Sequence, residues 1–342
     1  MNKCRKYGID VTKRCNWRCK TCFYFWEPDF NGDYQKPLSE AIREVENAKA
    51  KGCNHSVIVG FGEPGLWPNL IDWIKAVRLL DMTCSIITNG SLATSHYGKM
   101  REAGLDHLHI SMHGLGKTLD DIVGVEGAGE HQKQLREWLY KEQWPFRINM
   151  TVQQLNYTQV LDIFGTAIDH GARHVVSLGF LPHYGWGNRE KIRSVAVHPE
   201  TYRYHLESAI SFVEAHNETN PDHQVMMSVR YHPMCHIRSE YRKYITNAKY
   251  VVYDPFEWQY NSSHLDGEEL WRVAEGLGTV GSHEGECAKC DAWIHCNGWN
   301  KGMIIAFDGA ELKPITLEDN QRVRGFYHDQ NPTNSHRGWF HD

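Results

Sequence analysis

The sequence predicts an α/β fold with a parallel β-sheet between about residues 6 and 182. Six short segments rich in apolar or β-branched residues alternate with segments whose apolar positions repeat at helical spacing. Most of the strand segments end at Gly or Pro, which commonly bound strands. Strict strand–helix alternation requires crossover connections and therefore parallel strands, in a sheet that is either wound open or curled into a barrel.

The strands and helices of this pattern can be bounded from the sequence. The predicted strands are Tyr7–Thr12, His55–Gly62, Thr83–Asn89, His107–His113, Phe146–Val152 and His174–Leu181. The predicted helices lie near Leu38–Lys51, Asn69–Leu80, Ser95–Ala103, His131–Lys141 and Thr158–His170. In sheets of this kind, functional residues gather at the carboxyl ends of the strands.

Length and composition set the outer limits of the prediction. The 342 residues are enough for a main domain and an appendage, and 41% hydrophobic with 23% charged residues is typical of a globular protein. No apolar run approaches the roughly 20 residues of a membrane span, and no signal peptide is evident, so we expect a cytoplasmic protein. Strand–helix alternation stops after about residue 230, which predicts two domains, 1–230 and 231–342.

The charge is unevenly distributed along the chain. A formal net charge of −5 argues against a generally nucleic-acid-binding surface. The first twenty residues nevertheless contain one acid, Asp10, among Lys3, Arg5, Lys6, Lys13, Arg14, Arg18 and Lys20. This cluster is either a solvated basic arm or a basic rim that attracts an acidic partner protein or the phosphates of a substrate.

Three cysteines follow the first predicted strand at C-x3-C-x2-C spacing, namely Cys15, Cys19 and Cys22. Thiolates this close together suit an iron–sulfur cluster or a soft metal ion. Three thiolates are one short of the four that close a four-iron cluster, so the fourth iron would keep open positions for a small molecule. The aromatic run at 23–26 would cover such a cluster with apolar surface.

Zinc is the main alternative for these thiols. Disulfides are not expected, because an intracellular chain keeps its thiols reduced. A structural zinc site needs a fourth ligand, and the nearest candidates, Cys4, Cys53 and His55, are distant in the sequence.

Polar groups also follow the later strands. The second strand ends in Gly60-Phe61-Gly62-Glu63-Pro64, where glycine permits close backbone approach and Glu63 can accept hydrogen bonds from an ammonium group. Gly and Pro alone would equally explain a simple turn. Asn89, Ser111 and Asn149 stand at the ends of the third, fourth and fifth strands. These side chains either contact a ligand or satisfy buried backbone groups.

A second group of cysteines lies in the C-terminal part of the chain. Cys235, Cys287, Cys290 and Cys296 supply four thiolates, which are enough for a [4Fe–4S] cluster or for zinc. Nearby imidazoles that could replace a thiolate would favour zinc, and they belong to His236, His283 and His295.

Two glycine-containing segments predict irregular structure. The segment 124–129 contains three glycines and predicts a flexible loop above the sheet, where substrate enters. Asp308-Gly309 predicts a tight hairpin between Met303–Phe307 and Ala310–Pro314.

The cysteine spacing after the first strand, with the stretch Gly60–Pro64 after the second, resembles the radical S-adenosylmethionine (radical SAM) enzymes. The resemblance implies a partial (β/α)6 TIM-type barrel in which Cys15, Cys19 and Cys22 hold a [4Fe–4S] cluster. SAM would chelate the open iron, and its reductive cleavage would yield methionine and a 5′-deoxyadenosyl radical. One position departs from the family, because Thr21 stands where an aromatic residue often precedes the third cysteine.

The resemblance also implies roles for the other strand-end residues. Gly60, Gly62, Glu63 and Pro64 correspond to the family motif that receives the SAM ammonium group. Asn89 corresponds to a residue beside the SAM site, and Ser111 and Asn149 to polar residues that face its ribose and carboxylate.

The C-terminal cysteines resemble part of the SPASM and twitch extensions of this family. Cys287, Cys290 and Cys296 have the C-x2-C-x5-C spacing, which implies a smaller C-terminal metal-binding extension with a second, auxiliary [4Fe–4S] cluster. Asn300 stands where the SPASM form has its next cysteine, and zinc remains the alternative metal.

The resemblance predicts an enzyme that abstracts hydrogen from its substrate and takes electrons from a partner such as flavodoxin or ferredoxin. A peptide is the first candidate substrate, and a nucleotide, nucleic acid or sugar is the alternative. A non-catalytic cluster-binding or electron-transfer protein is the second alternative, but it leaves Gly60–Pro64 and the strand-end polar groups without a purpose.

Overall fold

The computed structural model describes residues 6–22, 32–59, 62–180, 189–245, 258–259, 285–294, 296, 298–299, 301–307 and 312–316. Its centre is one sheet of eight parallel strands in the order β7-β6-β5-β4-β3-β2-β1-β8. The strands are β1 Lys6–Ile9, β2 His55–Ile58, β3 Thr83–Thr88, β4 His107–Ser111, β5 Phe146–Val152, β6 Ala172–Gly179, β7 Met226–Arg230 and β8 Trp258–Gln259. The predicted α/β partial barrel of parallel strands is confirmed.

Nine α-helices lie within the described residues, and most of them connect one strand to the next. They are α1 Leu38–Ala50, α2 Leu70–Leu79, α3 Thr94–Glu102, α4 Lys117–Val123, α5 Ala128–Lys141, α6 Val160–Asp169, α7 Arg189–Val195, α8 Pro199–Thr219 and α9 Lys301–Phe307. The five predicted helices correspond to α1, α2, α3, α5 and α6.

The sheet carries two strands beyond the six that the sequence pattern predicts. Strand β7 follows the 21-residue helix α8, so the chain breaks the shorter strand–helix period on which the prediction rests. Strand β8 has two residues and pairs with β1 through Lys6 and Tyr7. A strand this short has too few residues to show the period-2 alternation that identifies strands in a sequence.

The two faces of the sheet differ in polarity. Residues directed towards the helices are fully buried and apolar, such as Ile58, Ile86 and Ile110, and they share one core with Trp73 and Phe164 of the helices. Burying each such side chain contributes about 1.5–3 kcal/mol to stability. The alternate residues face the interior of the partial barrel and are largely polar.

Of the segment 124–129, which its glycines suggest is a flexible loop, residues 124–127 form an ordered turn and residues 128–129 begin α5. Gly124 and Gly127 have φ angles of 69° and 80°, a left-handed conformation that glycine adopts without strain. The Asp120 carboxylate accepts the backbone N–H groups of Gly127 and Gly129 at 2.9 and 2.8 Å. The turn therefore joins α4 to α5 by defined hydrogen bonds.

The C-terminal helix α9 packs against residues that follow strand β6. Helix α9 packs on α7, and Met303 and Ala306 of α9 share a small core with Phe180, Ile192 and Trp299. The hairpin predicted at Asp308–Gly309 is wrong on its first side, because Met303–Phe307 belongs to a helix. Its turn, residues 308–309, lies outside the described residues.

The division into domains 1–230 and 231–342 stays a prediction. Strand β8, at residues 258–259, joins the barrel sheet although it follows the predicted boundary. Among the described helices, none is long and apolar enough to cross a membrane.

Candidate active site and second thiol site

The three N-terminal cysteines line one cavity of about 640 Å³ at the carboxyl ends of the strands. Cys15, Cys19 and Cys22 contribute from the segment after β1, which we call the cysteine loop (residues 13–22). The opposite wall includes Ser111 at the end of β4 and Thr151 near the end of β5. The cavity thus brings together several of the residues predicted at successive strand ends, namely the three cysteines, Gly62, Glu63, Asn89 and Ser111.

Helix α4 holds the cysteine loop in place. The backbone N–H groups of Arg18 and Lys20 donate to the carbonyl oxygens of Val123 and Ile122 at 2.8 and 3.0 Å. Trp17 is buried in an apolar cluster with α4 residues that include Ile122 and Val123. The sequence pattern did not reveal this helix, because its seven residues lie between glycines.

Gly62 touches the cysteine loop directly. The N–H of Glu63 donates to the carbonyl oxygen of Arg14 at 2.7 Å. A Cβ atom at Gly62 would lie only 2.1 Å from that same oxygen. Glycine is therefore required at position 62 by the packing of the cysteine loop. Gly60, the other glycine of the predicted motif, lies outside the described residues.

The Glu63 side chain is buried and points to the end of β3. Its Oε1 accepts the N–H of Gly65 at 3.0 Å and the hydroxyl of Thr88 at 2.8 Å, and its Oε2 accepts the N–H of Asn89 at 2.7 Å. Burial raises the pKa of Glu63, and the three hydrogen bonds oppose that shift. Pro64 is buried at the start of a short 3-10 helix.

Asn89 connects the end of β3 to the cysteine loop. Its Nδ2 donates to Oδ1 of Asn16 at 2.9 Å and lies 3.9 Å from Sγ of Cys15. The fully buried Gln132 of α5 donates through Nε2 to the carbonyl oxygens of Asn89 and Ser111, at 2.7 and 2.9 Å. Gln132 was missed, because a polar residue in a helix sequence is ordinarily on the exposed side.

Asn149 does not line the cavity, unlike Asn89 and Ser111. Its Oδ1 accepts a hydrogen bond from Nε of Arg147 at 3.0 Å, deeper in the barrel. Asn149 nevertheless pairs in register with Ser111, so it has the strand position of a wall residue although it does not contribute to the wall.

His113 lines the cavity and was also missed by sequence reasoning. Its Nδ1 accepts the backbone N–H of Thr151 at 3.1 Å, so the neutral ring carries its proton on Nε2. Burial lowers the pKa of His113 to about 4 and keeps the ring neutral near pH 7. Its position two residues after Ser111, on the same side of the chain, was the available signal.

The cavity fits a cluster that needs three thiolates. The N–H of Trp17 approaches Sγ of Cys15 at 3.5 Å, and hydrogen bonds to sulfur are common around iron–sulfur clusters. Burial raises the pKa of Cys15 to about 11 and raises that of Cys19 as well, and a metal cation would offset this by stabilising the thiolates. The wall contains three basic residues, Lys13, Arg14 and Arg18, and two acidic residues, Asp33 and Glu63, so basic residues are in excess.

The four C-terminal cysteines line a second, much smaller cavity of about 20 Å³. Backbone N–H groups donate to two of the sulfurs, from Ile315 to Cys290 at 3.2 Å and from Gly298 to Cys296 at 3.4 Å. Burial raises the pKa of Cys235 and of Cys287 to about 11 each. The donor set therefore fits a four-thiolate metal centre, but the volume holds about one water-sized sphere. A four-iron cube would require the side chains to turn outward.

Among the described residues, no histidine ring forms part of the wall of this second cavity. His236 is buried beside Cys235, but its Nδ1 pairs with Oε2 of Glu200 at 3.2 Å and it is not part of the cavity wall. His283 and His295 lie outside the described residues. Within the described ranges, no three His, Cys, Asp or Glu side chains converge as closely as the ligands of one metal ion. A cluster requires less convergence, since each thiolate binds a different iron.

Comparison with protein families identifies the barrel segment. Residues 9–167 match the model of the Radical SAM superfamily. The matched segment contains the cysteine loop, Gly62, Glu63, Asn89, Ser111 and Asn149.

Three relatives match about half of this chain. An AdoMet-dependent heme synthase of Oleidesulfovibrio alaskensis is 31% identical over 49% of this chain and 44% of its own length. A PqqA peptide cyclase of Bradyrhizobium diazoefficiens is 25% identical over 54% and 48%, respectively. An S-adenosylmethionine-dependent nucleotide dehydratase of Flammeovirga pacifica is 28% identical over 44% and 54%. The chain thus spans about half the length of the curated relatives that it matches.

A solved structure resembles nearly the whole chain. Native anSMEcpe with bound AdoMet superposes with a TM-score of 0.57 and covers 99% of this chain and 100% of its own, at 16% sequence identity. At this identity the likeness establishes the fold.

Proposed function

Because the chain belongs to the radical SAM superfamily, we propose that it binds a [4Fe–4S] cluster through Cys15, Cys19 and Cys22 and cleaves SAM reductively. Bound together, the cluster and SAM would supply a 5′-deoxyadenosyl radical for hydrogen abstraction from a substrate. The observation that carries the proposal is the single cavity lined by these three thiols together with Asn89 and Ser111.

Each wall of the cavity has a role in this proposal. Gly60, Gly62, Glu63 and Pro64 form the receptor for the SAM ammonium group. Both oxygens of the Glu63 carboxylate already accept hydrogen bonds from protein donors. The carboxylate therefore positions the backbone of this receptor. Asn89 and Ser111 orient the ligand from the ends of β3 and β4, and His113 offers Nε2–H as a further donor. Asn149, in register with Ser111, acts from behind the cavity wall.

We propose a peptide as the first candidate substrate. The support is the PqqA peptide cyclase among the relatives, which matches 54% of this chain. A nucleotide is the second candidate, supported by the related nucleotide dehydratase and by the basic wall of the cavity. The same basic wall suits a negatively charged reductant such as flavodoxin or ferredoxin.

We also propose a second metal centre at Cys235, Cys287, Cys290 and Cys296. The donor set and the two N–H···S contacts support it. Its metal is a second [4Fe–4S] cluster or zinc, since four thiolates accommodate either. Such a centre would tie the segments 233–237 and 285–316 together.

The proposal is tested by assaying 5′-deoxyadenosine after anaerobic reconstitution with iron, sulfide and reductant. Replacement of Cys15, Cys19 and Cys22 by Ala should remove about four irons per chain and abolish the product. Cys84→Ala is the matched control, because Cys84 is buried on β3 away from both cavities. A triple variant that still forms 5′-deoxyadenosine would contradict the proposal. A cluster-loaded wild type without product would favour the electron-transfer alternative.

Substrate identity requires a second experiment. The reconstituted protein is incubated with deuterated peptide or deuterated nucleotide, and deuterium in 5′-deoxyadenosine is measured by mass spectrometry. Transfer from the nucleotide and not from the peptide would reverse our order of preference.

A further inference from the structure

The interior face of the barrel carries a column of polar side chains that descends from the cavity. Ser111 and Thr151 line the cavity, and Asn149 pairs in register with Ser111. One step lower, Arg147 pairs in register with His109, and both share the face of Asn149. Each two-residue step is about 6.6 Å, so Arg147 lies roughly 13 Å below Thr151 along β5.

Arg147 is a deeply buried cation without a carboxylate partner among the described residues. Arg147 is 6% exposed, and its Nε donates a hydrogen bond to Oδ1 of Asn149 at 3.0 Å. Burial is the main cause that lowers the pKa of Arg147, and the positive charge of Arg230 is the second. Arg230 ends β7, two strands from β5, and its register partner Leu178 pairs with Thr151, so Arg230 lies at the level of the cavity and above Arg147.

His109 adds an unsatisfied polar atom to the same layer. It is 6% exposed, and no group in the described part of the chain hydrogen bonds to its Nε2. Its ring stacks on His107 at a centroid distance of 5.1 Å. Burial and the charge of Arg147 lower the pKa of His109, so its ring is neutral and carries one N–H donor.

A buried guanidinium is costly unless an anion compensates its positive charge. Arginine presents its donors in a planar fork that matches carboxylate and phosphate oxygens. A purely structural arginine in such a layer would be expected to have a carboxylate or several carbonyl acceptors, and the described residues provide one amide oxygen.

We propose that Arg147, assisted by its register neighbour His109, binds an oxyanion of the substrate, either a carboxylate or a phosphate, inside the barrel below the cavity. The proposal rests on the proposed function in one respect, since that function makes the anion part of a substrate that lies beneath SAM. It narrows the substrate class to molecules with an anionic group distant from the carbon that reacts.

Anion binding is measured on the reconstituted holoprotein with sodium phosphate and sodium acetate as separate probes. Sodium chloride at equal ionic strength is the reference. One probe should raise the melting temperature in a saturable manner, because a ligand of the native state stabilises it. Saturation with phosphate assigns a phosphate group, and saturation with acetate assigns a carboxylate.

Two variants decide whether Arg147 is responsible. Arg147→Met should weaken the apparent affinity of the stabilising probe at least tenfold, and it should melt no lower than wild type in chloride, because it removes an uncompensated charge. Arg147→Lys keeps the positive charge, so its apparent affinity for the probe should lie between the affinities of wild type and Arg147→Met. Arg101→Met is the control, since Arg101 is 40% exposed and pairs with Glu142 at the surface.

The proposal is overturned if neither probe gives saturable stabilisation, or if Arg147→Met and wild type bind the probe equally. Its failure is distinct from failure of the proposed function, because no turnover enters the measurement. Wild-type protein that forms 5′-deoxyadenosine but binds neither anion would refute the anion site alone. Anion binding without 5′-deoxyadenosine formation would support the site and refute the reaction.

Discussion

The Glu63 carboxylate accepts the backbone N–H of Asn89 at 2.7 Å and thereby fixes the end of β2 to the end of β3. The same side chain accepts two further donors, from Gly65 and Thr88. Glu63 therefore connects the segments that follow β2 and β3, both of which contain predicted site residues. The side chain that the sequence singles out for ligand binding therefore also positions the backbone around the cavity.

We predict that Glu63→Gln lowers the free energy of unfolding by about 1–3 kcal/mol, because the amide NH2 group would face a backbone N–H in place of an accepting oxygen. Urea denaturation of the metal-free protein measures the change. Glu102→Gln, at an exposed position of α3, is the control and should change stability by less than about 0.5 kcal/mol. Equal stability of Glu63→Gln and wild type would show that the three hydrogen bonds contribute little.

Gly62→Ala should distort the cysteine loop itself. The added Cβ would lie 2.1 Å from the Arg14 carbonyl oxygen, so the backbone before Cys15 must move. We expect less than half of the wild-type iron content after reconstitution. Gly98→Ala in α3 is the control, because the nearest atom to its Cβ would be 3.9 Å away. A Gly62→Ala protein with full iron and only weakened SAM binding would assign Gly62 to the ligand instead.

His113 should make stability sensitive to acid. Its pKa falls to about 4 in the folded protein, so between the unfolded value of about 6.5 and pH 4 the unfolded chain binds a proton that the folded chain does not. Stability therefore decreases as pH falls through this range, by at most about 3 kcal/mol for this group.

The test compares wild type with His113→Asn, which keeps an acceptor for the Thr151 N–H. The variant should lose less stability between pH 7 and pH 4 in urea denaturation. Other buried histidines titrate in both proteins, so the difference between the two curves isolates His113. Parallel curves would contradict the assignment.

We predict that the C-terminal thiol site still binds its metal when the three N-terminal cysteines are replaced. Protein with Cys15, Cys19 and Cys22 replaced by Ala should retain either about four irons or one zinc per chain, since four thiolates remain. Metal analysis and Mössbauer spectra distinguish these results. Further replacement of Cys290 by Ala should release that metal. A triple variant that retains neither iron nor zinc would disprove the site.

The sequence revealed the parts of this molecule that follow periodic patterns. Five helices and six strands were recognised because apolar residues repeat at regular spacing, and the cysteine loop because its thiols are close in sequence. Three polar residues were missed, namely Gln132, His113 and Arg147. Their roles depend on burial, and the burial of a polar residue cannot be inferred from its type. Helix α4 was missed because glycines on both sides resemble a loop.

The role of Gly62 shows a second limit of sequence reasoning. The sequence explains a glycine before an acidic residue by close approach of a ligand, and the structure adds a second reason, because a Cβ at Gly62 would lie 2.1 Å from the Arg14 carbonyl oxygen. Close approach of two chain segments and close approach of a ligand demand the same residue. Only the fold separates the two causes.

The attachment of the cysteine loop to α4 has a consequence for biosynthesis. Arg18 and Lys20 hydrogen bond to residues about one hundred positions later, and the turn that ends α4 is closed by Asp120 only once Gly129 is present. The chain emerges from the ribosome N-terminus first, so the loop is made long before the partner that holds it. If Cys15, Cys19 and Cys22 hold the proposed cluster, their geometry is defined for iron and sulfide only after residue 129 has been synthesised.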